Sequence, residues 1–337
     1  MPEETDTRRD ELLHWLRFGA GIAVDELTTA SADASFRRYF RVHSAGQRYI
    51  AMDAPPALED SEPFVRIAAW LAEIGLNSPR VLAQDLKCGY LLLTDLGDRQ
   101  FLHTLNSAPQ RAGDLYRDAM SALDTLQDKG VSYQQRLPVF NSSLLGDEMA
   151  LFRDWLCATH LQLSFTADDE DRWNDTCHFL IESALAQPRV FVHRDYHSRN
   201  LMHCEQGNPG MLDFQDAVNG PLTYDLVSLL KDCYVRRPAA EVEQHAISFY
   251  GLVRERLPTA FDEVAFMRAF ELMGVQRHLK AAGIFARLNH RDQKAAYLAD
   301  IPLTLSYITE VAGRYAELGF LHELVRDRCL PALQVAA

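Results

Sequence analysis

His193-Arg194-Asp195-Tyr196-His197-Ser198-Arg199-Asn200, followed by Asp213-Phe214-Gln215-Asp216, decides how this chain is read. The apolar triplet Val190-Phe191-Val192 runs into the first string, and Gly210-Met211-Leu212 runs into the second. Both triplets read as short strands in a region that is otherwise helical in pattern. An aspartate and an asparagine therefore stand five residues apart just beyond a strand, and Asp213 follows the next strand thirteen residues after Asn200. Carboxylate and amide oxygens so placed suit a hard divalent cation and can orient a hydroxyl group.

Those are the needs of phosphoryl transfer from a nucleotide: an aligned acceptor hydroxyl, a carboxylate beside it, and cations on the phosphates. The spacing resembles the H-R-D-x-x-x-x-N catalytic loop of protein kinases, with Asp213 in the place of the D-F-G aspartate. Asp195 then orients or deprotonates the acceptor, and Asn200 and Asp213 hold magnesium. His193, Asp195 and His197 also alternate as a hydrolase zinc cluster does, but such sites need further ligands at matched spacings and none follow. His197 is expected to orient the loop.

The rest of the chain is compatible. Its 337 residues suit two lobes better than one small domain, and a net charge of −13 without a basic cluster argues against nucleic acid. Six scattered cysteines form no C-x-x-C pair and no dense scaffold. The polar start MPEETDTRRDELL is not a secretory signal, and no long apolar run predicts a membrane span. A soluble cytoplasmic protein is the expectation.

Before the decisive stretch the apolar period changes once. Arg9–Phe18 is helical in pattern; Val24–Ser31, Arg38–Val42 and Arg48–Met52 are strand-like, with a hairpin turn at Ser44–Gln47. Ser61–Ile74 reads as a helix, and Val81–Asp85 and Tyr90–Thr94 as a second hairpin. Beyond Thr94-Asp95-Leu96-Gly97-Asp98, helical spacing dominates: Arg111–Lys129, Leu144–Leu163, Glu170–Ala186, Tyr224–Val235, Ala240–Arg256 and Phe261–Leu288. The pattern predicts an α+β, two-lobed, protein-kinase-like fold. A small β-rich nucleotide lobe takes residues 1–94, a hinge 95–98, and a large helical lobe 99–337 the catalytic loop, metal site and acceptor site.

The loop string, with its His197, resembles the H-G-D-x-H-x-x-N signature of aminoglycoside phosphotransferases and related small-molecule kinases, over about Leu27 to Leu230. The resemblance implies ATP and Mg2+ as cofactors, and a supporting rather than chemical role for Asp225 and His193. Ala34-Ser35-Phe36-Arg37-Arg38-Tyr39-Phe40-Arg41-Val42, Met52-Asp53-Ala54-Pro55-Pro56 and Gln276-Arg277-His278-Leu279-Lys280 resemble one branch of that family. That branch holds anomeric kinases of N-acetylmuramate and N-acetylglucosamine in peptidoglycan recycling, whose product goes to a uridylyltransferase. Aminoglycoside, choline and homoserine are alternative acceptors.

Two departures from the kinase pattern stand out. Met52 occupies the strand position where kinases keep a phosphate-binding lysine, and Ser31–Ser35 has no glycine. Either the protein is a non-catalytic nucleotide binder, or an arginine supplies the missing charge. Strand alternation sends one of Arg37 and Arg38 inward, and Arg38 is chosen because it shares a face with Phe40 and Val42. Ala34, Ser35, Arg38, Met52, Thr94, Asp95 and Leu96 make up the expected ATP site. Glu59 and Glu62 read as solvated helix residues. For the sugar, Glu148, Arg153 and Trp155 share one helical segment, and Arg277 beside Gln276 could pair with the lactyl carboxylate of N-acetylmuramate. His197, Arg199 and Asp216 complete the expected substrate contacts.

Overall fold

Alternating apolar residues in the first hundred positions build one antiparallel sheet. A computed structural model of the protein describes residues 6–32 and 36–336. Its strands β1 (Glu26–Ala32), β2 (Arg38–Ser44), β3 (Gln47–Asp53), β4 (Val81–Asp85) and β5 (Tyr90–Thr94) lie in the order β1-β2-β3-β5-β4. Ser44 faces Gln47 across a tight turn in which Ala45 and Gly46 have φ of 48° and 77°. Positive φ at both central positions matches the right-handed twist of the flanking strands.

One face of this sheet carries Phe40, Val42, Ala51, Tyr90 and Leu92, which pack on Leu12 and Leu16 of α1 (Thr7–Phe18). Asp6 caps α1 by accepting the Arg9 amide. Residues of the other parity, among them Tyr39, Arg41, Ile50 and Met52, project on the opposite face. α2 (Glu62–Glu73) buries Phe64, Ile67, Ala68, Trp70 and Leu71.

The chain divides into two compact units, Met1–Arg99 with Leu201–Asp216 and Gln100–Asn200 with Ala217–Ala337. The excursion after Asn200 thus belongs to the first unit, although its position in the chain put it with the helical lobe. Asn77 pairs with Gly210 and His203 donates to the Arg99 carbonyl, which ties the excursion to that unit.

The second unit is helical around a pair of short strands. Before them come α3 (Phe101–Ser107), α4 (Ala112–Lys129), α5 (Val131–Gln134), α6 (Ser142–Leu151) and α7 (Ala167–Leu185). α6 runs on in π-helical turns over Phe152–His160. β6 (Arg189–Val192) is followed, in the first unit, by the two-residue pair β7 (Leu201–Met202) and β8 (Gly210–Met211), and then, back in the second, by β9 (Val218–Pro221), which pairs with β6. β9 was not legible in advance because Val-Asn-Gly-Pro has a turn's composition; the open edge of β6 recruits it.

α8 (Tyr224–Leu230), α9 (Ala239–Val253), α10 (Glu263–Asp292) and α11 (Ile301–Ala312) complete the part that matters for the site. α10 is central: every residue from Leu272 to Lys280 is buried. Gly283 permits this, since a Cβ there would lie 2.3 Å from the Leu151 carbonyl carbon and 2.5 Å from the Phe152 nitrogen. That backbone approach brings Gln276 and Lys280 against Glu148. Among the described residues no helix is long and apolar enough to cross a membrane.

Candidate active site

Two buried carboxylates hold the loop that follows β6. Asp225, in the first turn of α8 and fully buried, accepts the amides of His193 at 2.6 Å and Arg194 at 3.0 Å. Asp232, 1% exposed, accepts the amides of Ser198 and Tyr234, both at 2.9 Å. The hydroxyl of buried Tyr196 donates to the Ala119 carbonyl at 2.8 Å. Three amides and a hydroxyl thus tie the loop to buried acceptors, each bond worth about 0.5–1.5 kcal/mol and more where the carboxylate is ionised. Burial pushes the Asp225 carboxyl up to about 7, although the two amides pull the other way.

Arg194 sits at φ 79°, in the left-handed region where the family signature has glycine. A bulky side chain there costs about 1–3 kcal/mol. The guanidinium offsets this by donating to Glu148 at 2.5 Å. Glu148, 4% exposed, also meets Lys280 Nζ and Gln276 Nε2, each at 3.1 Å. Burial alone would raise its carboxyl, but Lys280 and then Arg194 hold it below the usual range. Lys280 further donates to the Tyr224 hydroxyl at 3.0 Å.

Above this network lies a cavity of about 90 Å³, lined by Asp195, His197, Cys233, Tyr234, Arg277, Lys280, Ala281, Ile284 and Phe285. Burial raises the Asp195 carboxyl, and the neighbouring cations, Lys280 foremost, overcome it and bring the carboxyl down to about 2. Asp195 is therefore an ionised acceptor at neutral pH. The His197 amide and the Asn200 side chain both donate to the Asp195 carbonyl, at 3.0 and 3.1 Å. Burial keeps the His197 ring neutral, and the ring stands edge-on to Tyr234 with centroids 5.3 Å apart.

The cavity gathers Asp195, His197 and Arg277 from the expected site residues and leaves others outside. Glu148 does not line the cavity, and its carboxylate is taken up by Arg194, Lys280 and Gln276. Arg153 pairs with Asp154 and Glu170, and Trp155 packs against the core, so neither is among the residues that line the cavity. Gln276 does not line the cavity, and its Nε2 donates to Glu148. Arg199 lies over the Tyr234 ring at 3.7 Å, with Asp300 also 3.7 Å away, so it braces the cavity wall. Lys280, Tyr234 and Asp232 went unassigned in the sequence. Lys280 was visible as part of the branch-specific string; Asp232 gave no signal.

In the first unit, Asp213 has φ 62° and accepts from Gln215 at 2.8 Å, while Phe214 packs on Phe64 of α2 at 4.8 Å. Gln215 also donates to Asp216 at 3.3 Å, and Asp216 is exposed. Arg38 points toward α1, the same side as Phe40, and Asp53 and Asp6 take up its guanidinium. The face shared with Phe40 is the core face, which is why the choice of Arg38 fails. Arg37, of opposite parity and 8% exposed, pairs with Glu59 at 2.9 Å. Glu59 is consequently not a solvated residue.

Met52 is fully buried between Tyr39 and Leu91. Thr94 accepts the Arg80 amide at 2.9 Å, and Asp95 is neutralised by Arg41 at 2.9 Å. Leu96 offers its carbonyl to Cys204. Ala34 and Ser35 lie outside the described residues.

An N-acetylmuramate/N-acetylglucosamine kinase of Pseudomonas aeruginosa is 46% identical over 303 residues, 89% of this chain and 88% of its own. One of the same name from Pseudomonas putida is 44% identical over 97% of this chain and 98% of its own. The fold matches the crystal structure of an ADP-bound aminoglycoside phosphotransferase with a TM-score of 0.58 at 15% identity, over 88% of this chain and 97% of that one. This is the protein-kinase-like fold. Residues 26–270 match the model of the phosphotransferase enzyme family, and the chain belongs to that family.

Proposed function

We propose that this protein transfers the γ-phosphate of ATP to the anomeric hydroxyl of N-acetylmuramate and N-acetylglucosamine. The observation that carries the reading is the cavity of the second unit, where ionised Asp195 stands beside cations and an aromatic wall of Tyr234 and Phe285. Relatives bearing that activity's name across nearly the whole chain support the same acceptor. Family membership supports a nucleotide as the donor.

Asp195 accepts a hydrogen bond from the attacking hydroxyl and turns its lone pair toward the phosphorus. With a carboxyl near 2 it is a weak base, so the proton passes to it late, as the new phosphate ester forms and the hydroxyl becomes acidic. The immobilised loop keeps this geometry without reorganisation. By the family resemblance, Asn200 and Asp213 would each offer magnesium the hard oxygen donors it prefers, and the ion would screen the phosphate charge. Among the described residues no three acidic, histidine or cysteine side chains form a cage. Few protein ligands suit an ion carried in on phosphates.

Arg37, paired with Glu59 on the Met52 side of the sheet, is the arginine best suited to replace the absent lysine. An anomeric phosphate is the type of product a uridylyltransferase consumes, and ATP as donor places the reaction in the cytoplasm.

Cationic acceptors such as aminoglycosides or choline are disfavoured, because Lys280 and Arg277 face the cavity they would enter. Measuring ATP consumption over a panel of N-acetylmuramate, N-acetylglucosamine, homoserine, choline and an aminoglycoside tests the reading. Turnover confined to the two amino sugars is expected; preference for a cationic acceptor, or for none, would sink it.

A further inference from the structure

Arg277 is the cation of the cavity that its surroundings leave incomplete. It lies on the fully enclosed stretch of α10, is 6% exposed, and lines the same cavity as Asp195. Its side chain donates to a thiol, Cys233 Sγ, 3.9 Å from Nη1. Its Nε is buried without a hydrogen-bond partner, and among the described residues no carboxylate lies within ion-pair distance. The contrast with its neighbours is direct. Lys280 has Glu148 and the Tyr224 hydroxyl, and Arg194 has Glu148.

A buried guanidinium with an unmade hydrogen bond is costly, by about 1–3 kcal/mol for the orphaned donor alone. Burial also holds the Cys233 thiol in its neutral form, so sulfur does not provide the countercharge. Asp195 and Asp232 act on Arg277 only through space, and Asp232 is engaged by the Ser198 and Tyr234 amides. What the site lacks is an anion with two coplanar oxygens, the shape a guanidinium grips best.

We propose that Arg277 binds a carboxylate of the acceptor, and that it thereby sets the preference between the two amino sugars. N-acetylmuramate carries a lactyl carboxylate on carbon 3 of the same ring whose carbon 1 meets Asp195. N-acetylglucosamine has a hydroxyl there and leaves the guanidinium facing water. The inference rests on the proposed function and deepens it, since it gives one residue the task of separating its two substrates.

The test compares kcat/KM for both sugars in the wild-type full-length chain, Arg277→Gln and Arg277→Lys, with thermal melting and ADP affinity as controls on folding. Truncating one partner of a buried charge pair costs about 2–5 kcal/mol, so Arg277→Gln should lower kcat/KM for N-acetylmuramate by about 30-fold or more. The value for N-acetylglucosamine should move less than about fivefold, and Arg277→Lys should recover part of the difference. The carboxamide of N-acetylmuramate, given to the wild type, should be as poor a substrate as the acid is for Arg277→Gln; this arm needs no variant to fold. An equal loss on both sugars would assign Arg277 to positioning Asp195 and overturn the proposal. So would an undiminished rate on N-acetylmuramate or on its amide. Wild-type turnover of N-acetylglucosamine alone refutes the carboxylate site and keeps the kinase; turnover of neither refutes the functional reading, and this inference falls with it.

Discussion

Arg38 on β2 and Arg277 on α10 are both arginines that the sequence offers for gripping an anion, and they end in opposite surroundings. Arg38 meets two carboxylates of its own unit, Asp53 and Asp6. Arg277 meets a thiol and a cavity. A guanidinium held between two carboxylates serves stability, whereas one buried with no carboxylate in reach awaits a ligand. The number of carboxylates in reach separates the two roles. That number is not local in sequence: Asp53 comes from β3 and Asp6 from the cap of α1.

The largest effect expected lies in the cavity. Asp195→Asn should lower kcat by about 10³-fold or more while ADP affinity stays within about threefold, measured by steady-state kinetics and calorimetry. Retained turnover would remove Asp195 from the chemistry and leave Arg277 without an acceptor site to serve.

Arg38 and its neighbour Arg37 supply the next test. Arg38→Gln should cost about 1–3 kcal/mol in denaturant unfolding, less than a full buried pair because Arg8 also binds Asp53. Its kcat/KM should stay within about threefold of wild type. A selective loss of ATP affinity would restore Arg38 as the phosphate ligand and break the comparison. Arg37→Met should do the reverse, raising KM for ATP by about tenfold with a smaller effect on unfolding, since a charge-assisted contact to phosphate is worth about 1.5–3 kcal/mol.

The smallest effect concerns pH. His278, the residue after Arg277, donates its Nε2 proton to the Lys231 carbonyl at 2.8 Å, and burial pushes its pKa down to about 3. The unfolded chain binds a proton at this site near 6.5 and the folded chain does not, so stability rises with pH between about 3 and 6.5. Acidifying from pH 6.5 to 5 should weaken the fold by up to about 1.4 kcal/mol per pH unit from this site, and His278→Gln should flatten that part of the profile. An unchanged slope in the variant would show that the acid sensitivity arises elsewhere.

How much was legible follows the same division between local and distant causes. β4 and β5 were bounded correctly because strand alternation and turn residues are neighbours in the chain. The loop from His193 to Asn200 was legible because catalysis needs those residue types at that spacing. What clamps it was half visible: Asp225 through the family pattern, Asp232 not at all, since a carboxylate accepting two amides resembles any helix-end aspartate. Glu148 and Arg153 misled because one helical segment was treated as one face. The π-helical turns after Leu151 change that face, and no residue signals a π-turn. Arg194 is instructive in the other direction. Arg194 matches the kinase H-R-D string where the family signature has glycine, and the partner that holds it there, Glu148, lies 46 residues away.

The central claim is that the cavity beside Asp195 receives the anomeric hydroxyl. The most direct measurement is the proton NMR spectrum of the product formed from ATP and N-acetylglucosamine by the wild type and by Asp195→Asn. The account predicts an anomeric proton split by phosphorus in the wild-type product and an unaltered sugar spectrum with the variant. A phosphorus splitting at any other ring proton, or the same product from both proteins, would contradict it.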